Sequence, residues 1–373
     1  MSFSQVEEMT MIATTRKFDP AAAACGLLAF TLTAGMAQAQ LRNVLPFAPL
    51  SVSTVPSNGD VNPYGVAYVP GIHSDGMIQP NDILVSNFNN SQNLQGTGTT
   101  IVRVTTTGQA SLFFQGQAPG LTAALGVLAD GIVIVGSLPT TDGTSATVQA
   151  GGLAIVDRFG KQLGFFQNAA IDGPWGMAIS DFNNGFAQIF VSNVLSGTIA
   201  RLDVSYSGDG ESLSVLAVTA IGTGFNHRTD PAALVLGPSG LFYDLYHDNL
   251  YVASSVDNAV YTLTGAGAAT SSLGSGNQLF QDLVHLHGPL DITAAPNGHL
   301  LIANSDGSNA DPNQPSELTE YTFGGQFVSQ YPVDANNGGA FGLNTFPVSW
   351  NTVRVAAVDD NANMLFMWTS VLN

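Results

Sequence analysis

Cysteine is almost missing from this 373-residue chain: the single copy, Cys25, lies in the N-terminal segment. Beyond that segment, disulfides, thiolate metal sites and cysteine nucleophiles are excluded together. Charge is scarce as well. Lysine occurs only as Lys17 and Lys161, and charged residues make up 10% of the chain, against roughly 25% in an average soluble protein. Such a composition excludes a charge-rich disordered chain or a long coiled coil. No run of 18 uncharged apolar residues follows the N-terminal segment, so no later membrane span is expected. There is no G-x-S-x-G elbow, no Walker loop, no H-E-x-x-H and no G-x-G-x-x-G. A Ser-His-Asp set is not signalled by any local pattern.

What is present is apolar and rich in turn-forming residues: 45% hydrophobic, with 41 Gly and 18 Pro. Gly has no three-residue period, so a collagen-like chain is excluded, and a β-rich globular chain remains. The net charge is -18, and from residue 40 onward 7 basic residues face 24 acidic ones. That surface repels phosphate backbones and anionic lipid, so nucleic acid is not an expected partner. Cationic or neutral ligands suit it better. Acidity also serves simply to keep a lysine-poor protein soluble.

The N-terminus has the pattern of a secretory signal over 1–39. Arg16 and Lys17 form the basic region, Ala21 to Ala34 the apolar region, and Ala37-Gln38-Ala39 the cleavage pattern. The mature chain is expected to start at Gln40. Glu7 and Glu8 suit such a signal poorly, which makes Met9 or Met11 an alternative start. The apolar stretch is short of the ~20 residues of a membrane span. Export to the periplasm or the cell exterior is the expectation.

Internal repetition organises the rest. Pro63-Tyr64-Gly65-Val66-Ala67 matches Pro174-Trp175-Gly176-Met177-Ala178. Weaker copies are Ala124-Leu125-Gly126-Val127, Pro231-Ala232-Ala233-Leu234, Pro289-Leu290-Asp291-Ile292 and Ala340-Phe341-Gly342-Leu343. Each is followed by a β-branched run, such as Ile83–Asn87, Ile189–Asn193 or Leu300–Asn304, which reads as a buried strand. Third strands follow at Ile101–Thr105, Leu153–Asp157, Ile199–Val204, Ala259–Leu263, Leu318–Phe323 and Met364–Trp368. A fourth follows a turn in most repeats, and Gly and Ser blur it at Thr270–Phe280. Four strands repeated six times predict an all-β, six-bladed β-propeller over 40–373. The last repeat stops after its third strand, so an N-terminal strand near Asn43–Phe47 is expected to complete it. Pro46 is tolerated on such an outer edge.

Pro174-Trp175-Gly176-Met177-Ala178 followed by Ile189-Phe190-Val191-Ser192-Asn193 resembles NHL-type propellers, the six-bladed group that includes streptogramin lyases and peptide-amidating lyases. The chain also resembles an exported bacterial branch of that group. The usual NHL phrase places Asp after the second strand, where this chain has Asn87, Asn193 and Asn304, with Ser137, Ser254 and Ala357 in the other repeats. The amidating lyases draw histidines from several blades. Here only His287 falls in register, with His227 and His285 nearby, and that count speaks against their zinc chemistry.

Ligands of propellers gather where loops enter the first strands. Those loops contain Asn62, Asp172, Asp230 and His287. Oxygen donors of this kind suit Ca²⁺, whereas Zn²⁺ wants more imidazole. The same residues, placed before Pro, also make ordinary turns. A second candidate cation loop is Asp306, Asn309 and Asp311, with oxygen side chains alternating around Gly307. It lacks the closing Glu of an EF-hand, and its composition also suits a plain surface loop. His285-Leu286-His287 puts both imidazoles on one face of a strand, where i and i+2 align, either as half of a metal site or as hydrogen-bonded structure.

Two functions follow. One is a monomeric binding or scaffold propeller for a protein, peptide or glycan, without catalysis. The other is a metal-assisted lyase or lactonase, with Ca²⁺ at the channel mouth. The sequence puts the first ahead and leaves both open.

Overall fold

The computed structural model describes residues 45, 48–71, 75–295, 297–305, 313 and 316–371. Residues 1–39, where a secretory signal is expected, and the loop residues Asp306, Asn309 and Asp311 lie outside them. Strands and turns make up the described residues, with no helix. Accordingly, no helix among them is long and apolar enough to cross a membrane.

Six four-stranded antiparallel sheets follow one another along the chain. Their leading strands are Val61–Tyr68, Leu121–Val127, Pro174–Asp181, Pro238–Asp244, Pro289–Ala294 and Ala340–Ser349. Sheets 1 to 5 each use four consecutive strands, apart from one inserted hairpin. Sheet 6 takes three strands from the C-terminus, and its fourth is Leu50–Ser53, paired with Met364–Val371. The N-terminal strand therefore joins the last sheet as expected, a few residues after Asn43–Phe47, of which only Leu45 is described.

One repeat is read differently by the structure. Pro231-Ala232-Ala233-Leu234 does not begin sheet 4. It lies in a two-stranded hairpin of Arg228–Asp230 and Leu234–Leu236. Leu234 opens the second of these strands with a positive φ of 63°, uncommon for a non-glycine residue. The leading strand begins instead at Pro238-Ser239-Gly240-Leu241, which restores the Pro-x-Gly spacing. The blurred fourth strand of this sheet is Asn277–Gln281.

Each second strand is buried on both faces, which explains why it reads as a continuous apolar run. In Ile83–Asn89, Leu84 packs toward sheet 2, while Ile83 and Val85 pack toward sheet 6. Similar apolar layers fill the spaces between sheets 2 and 3, 3 and 4, 4 and 5, and 5 and 6. All six leading strands carry a register shift near their start. Glycines 65, 176, 240 and 342 sit at that bulge and let neighbouring backbones approach. A methyl group on Gly342 would strike the Tyr64 carbonyl, and one on Gly240 would strike the Asp291 backbone.

Side-chain hydrogen bonds tie every sheet to the next. Ser86 Oγ donates to the Thr122 carbonyl (2.7 Å), and Thr122 Oγ1 to the Pro174 carbonyl (2.7 Å). Ser192 Oγ donates to the Ser239 carbonyl (2.6 Å), and Ser239 Oγ to the Pro289 carbonyl (2.8 Å). The Leu343 amide donates to Asp291 Oδ2 (2.8 Å), and Asn344 Nδ2 to the Val66 carbonyl (3.1 Å). The last bond runs from sheet 6 to sheet 1.

Candidate functional site

The leading strands frame two spaces, separated by aromatic side chains. Tyr64 stacks on Phe88 (4.5 Å) and on Phe341 (4.1 Å), and Trp175 meets both Tyr64 (5.6 Å) and Phe88 (5.4 Å) edge-on. This cluster is buried together with Leu138, Val194, Leu234 and Val235. It fills the end of the leading strands where the sequence placed a cation.

Asn62 is the one predicted mouth residue that lines the small cavity on this side, ≈ 100 Å³ in volume, together with Tyr64, Trp175, Phe341 and Asp360. It holds a positive φ of 65°, a conformation Asn tolerates better than most residues. Its backbone amide donates to Asn363 Oδ1 (2.7 Å). Its side-chain amide donates to Asp360 and accepts from Asn89 Nδ2 (2.7 Å). Burial and the neighbouring Asp359 hold the Asp360 carboxyl well above the usual range. Burial, with Asp334 beside it, pushes Asp359 up to about 6. Asn62 thus belongs to the joint between sheets 1 and 6.

The other three mouth candidates have separate local partners. Asp172 Oδ1 accepts from Ser196 Oγ (3.1 Å), and the Asp172 amide donates to Asn193 Oδ1 (3.2 Å). Asp230 lies on the inserted hairpin, outside the loop series to which it was assigned. It accepts from the Ala232 (2.9 Å) and Ala233 (3.0 Å) amides and faces Arg228 at 3.4 Å. Burial opposes ionisation, but these amides and Arg228 hold its carboxyl below the ordinary value. His287 Nε2 lies 3.0 Å from the Val284 carbonyl. Among the described residues, no three His, Cys, Asp or Glu side chains come together as a metal-binding set.

His285 and His287 lie in a turn, so the shared strand face does not form. Asp282 is the reason. It accepts from the Val284 (2.8 Å) and His285 (3.1 Å) amides, and its Oδ2 lies 2.8 Å from His285 Nδ1. The His285 ring stacks on Phe327 at 3.7 Å.

The asparagines at the ends of three second strands have a structural role. Asn87, Asn193 and Asn304 are all 0% exposed. Their side-chain amides donate to the carbonyls of Thr54 (3.1 Å), Ala170 (2.9 Å) and His285 (2.7 Å). Each bond braces the chain a few residues before a leading strand. An ionised carboxylate accepts only and could not make it.

The larger cavity, ≈ 330 Å³, lies at the other end of the leading strands. All six contribute to its wall, and its volume falls at the lower end of small-molecule pockets, ~300–1,000 Å³. Most lining residues are apolar, among them Leu125, Met177, Ile179, Leu241 and Phe242, but polar atoms make up the larger share of the surface they present. Asp291 is the one carboxylate in the lining, and no Lys, Arg or His joins it. Burial pushes its carboxyl up to about 7, although hydrogen bonds from the Leu343 and Ile292 amides favour the anion. Sequence reading missed this residue as a site. The available signal was an Asp at the third place of the repeated phrase, where four sheets have Gly.

No protein-family model matches the chain, and no curated protein matches it. Among solved structures, 87% of the chain is similar to regucalcin, a calcium-binding protein from Agrobacterium tumefaciens, at 12% identity, over 94% of that chain and with a TM-score of 0.50. The fold is that of a β-propeller. A gluconolactonase from Xanthomonas campestris is similar over 89% of this chain and 99% of its own, at 11% identity and a TM-score of 0.49. Virginiamycin B lyase from Staphylococcus aureus is similar over 88% of this chain and 89% of its own, at 12% identity and a TM-score of 0.46. At these identities the likeness concerns architecture, which hosts many activities.

Proposed function

We propose that the six sheets close into an NHL-like six-bladed ring, and that this exported, monomeric propeller binds a small molecule in its central cavity without transforming it. The six inter-sheet hydrogen bonds support the ring, above all Asn344 to Val66 between the last and first sheets. The observation that carries the binding reading is the ≈ 330 Å³ cavity, with walls from all six leading strands and a lone carboxyl in them. Apolar walls with a few placed polar groups are the usual make-up of a ligand site. Export rests on the N-terminal signal pattern.

The experiment is a thermal-shift screen of small neutral and cationic compounds on the chain from Gln40, repeated on Ile179→Trp. Ile179 lines the cavity, and the larger ring would occupy it. Hits that stabilise the parent and not the variant support the reading. Hits that stabilise both place the ligand elsewhere.

The competing reading is a metal-assisted lyase or lactonase with a cation at the opposite mouth. It rests on the contact between Asn62 and Asp360. The aromatic cluster that fills the same end weighs against it.

A further inference from the structure

We propose that the central cavity is selective for a small aliphatic cation, a primary ammonium, whose charge is held by Asp291. This rests on the cavity being a ligand site and adds the chemical class of the ligand.

The geometry of Asp291 leads to this. Its carboxylate is fixed by two backbone donors, the Leu343 amide on Oδ2 (2.8 Å) and the Ile292 amide on Oδ1 (2.9 Å). A carboxylate has about four acceptor positions, so half of its capacity stays open. The cavity brings no basic side chain to it. Tyr68 and Tyr243 are the other titratable groups in the lining. Their hydroxyls donate away from Asp291, to Asn81 (3.1 Å) and to Asp248 (2.8 Å). The walls therefore contain an acidic group without a counter-charge, and a desolvated charge without a partner is costly. A ligand that carries one positive charge on an apolar body supplies the missing partner.

Most of the other lining residues are aliphatic or aromatic, with Thr293, Asn344 and Thr345 among them, which leaves room for a short alkyl chain beside the charge. The net charge of -18 also raises the local concentration of cations over anions.

The test is a ligand-observed NMR titration of the chain from Gln40 with three isosteric probes: n-hexylammonium, n-hexanol and hexanoate. At pH 8 the ammonium is expected to bind at least tenfold more tightly than the alcohol, and hexanoate least of all. Below about pH 7 the ammonium affinity should fall about tenfold per pH unit, because protonation removes its partner, while hexanol affinity stays level. Asp291→Asn, which keeps a carbonyl acceptor, should bring the ammonium down to the level of the alcohol. The pH series needs no variant, so it decides the matter even where Asp291→Asn misfolds. Equal binding of ammonium and alcohol in the parent, with no pH dependence, overturns the cation assignment and leaves the cavity reading standing. No binding of any probe overturns both.

Discussion

Asp291 Oδ2 accepts the backbone amide of Leu343 at 2.8 Å, and this bond joins the fifth sheet to the sixth. At the same point other sheets place a glycine and stitch with Ser86, Thr122, Ser192 or Ser239. A neutral hydroxyl makes such a stitch at little electrostatic cost. A carboxyl placed there is desolvated, and its proton affinity rises.

The chain should therefore lose stability as pH rises from about 4 to 8. Asp291 is raised to about 7 and Asp359 to about 6 when folded, both well above unfolded aspartate. Folded protein then binds more protons than unfolded protein, and stability falls with pH in that window. Chemical denaturation at pH 5 and pH 8 should differ by a few kcal/mol in favour of pH 5. Asp291→Asn should flatten part of this slope. A stability that rises over the same range would contradict the assignment.

Replacing Asn193 by Asp should destabilise the protein by about 1–3 kcal/mol. The variant removes the donor to the Ala170 carbonyl and buries a carboxylate in its place. Urea unfolding measures the cost. Asn304→Asp should cost more than Asn193→Asp, because Asn304 also donates to the buried Glu317 carboxylate at 2.9 Å.

Gly342→Ala should weaken the junction of the last sheet with the first. Its methyl group would meet the Tyr64 carbonyl, and overpacking of this kind costs about 1–3 kcal/mol. Gly164→Ala is the control, since nothing lies within 4 Å of the added methyl. It should stay within about 0.5 kcal/mol of the parent. Equal melting temperatures for both variants would show that the junction tolerates separation.

The mouth residues Asp172, Asp230 and His287 should contribute no calcium-dependent rise in melting temperature. Asp172, Asp230 and His287 each have local partners and do not converge as a set. A native-state binder at a hundredfold excess over its dissociation constant would add ~2.7 kcal/mol. A melt after EDTA, and again with Ca²⁺ restored, distinguishes the two cases. A clear rise that is lost in Asp172→Asn would favour the lyase or lactonase reading.

The strands were legible because burial on both faces writes them as β-branched runs of fixed spacing. Leu250–Ser254 and Leu300–Asn304 needed no further information. The fourth repeat was misplaced because an inserted hairpin put Pro231 ahead of the true start at Pro238. The site was far less legible. Asn62, Asp172, Asp230 and His287 were grouped by sequence position, but Asn62 bonds across to sheet 6 while Asp172, Asp230 and His287 each bond to neighbours of their own, and only the folded chain reveals that. Asp291 was visible as an Asp among glycines, yet its exposure to a shared cavity depends on five other strands.

The most direct test is a crystal structure of the chain from Gln40 soaked with n-hexylammonium. The account predicts density among the six leading strands, with the nitrogen within hydrogen-bond distance of Asp291 and the alkyl chain against Met177, Ile179 and Leu241. A ligand seated at the opposite mouth, against Asn62 and Asp360, or a cavity left without ligand at saturating concentration, would contradict it.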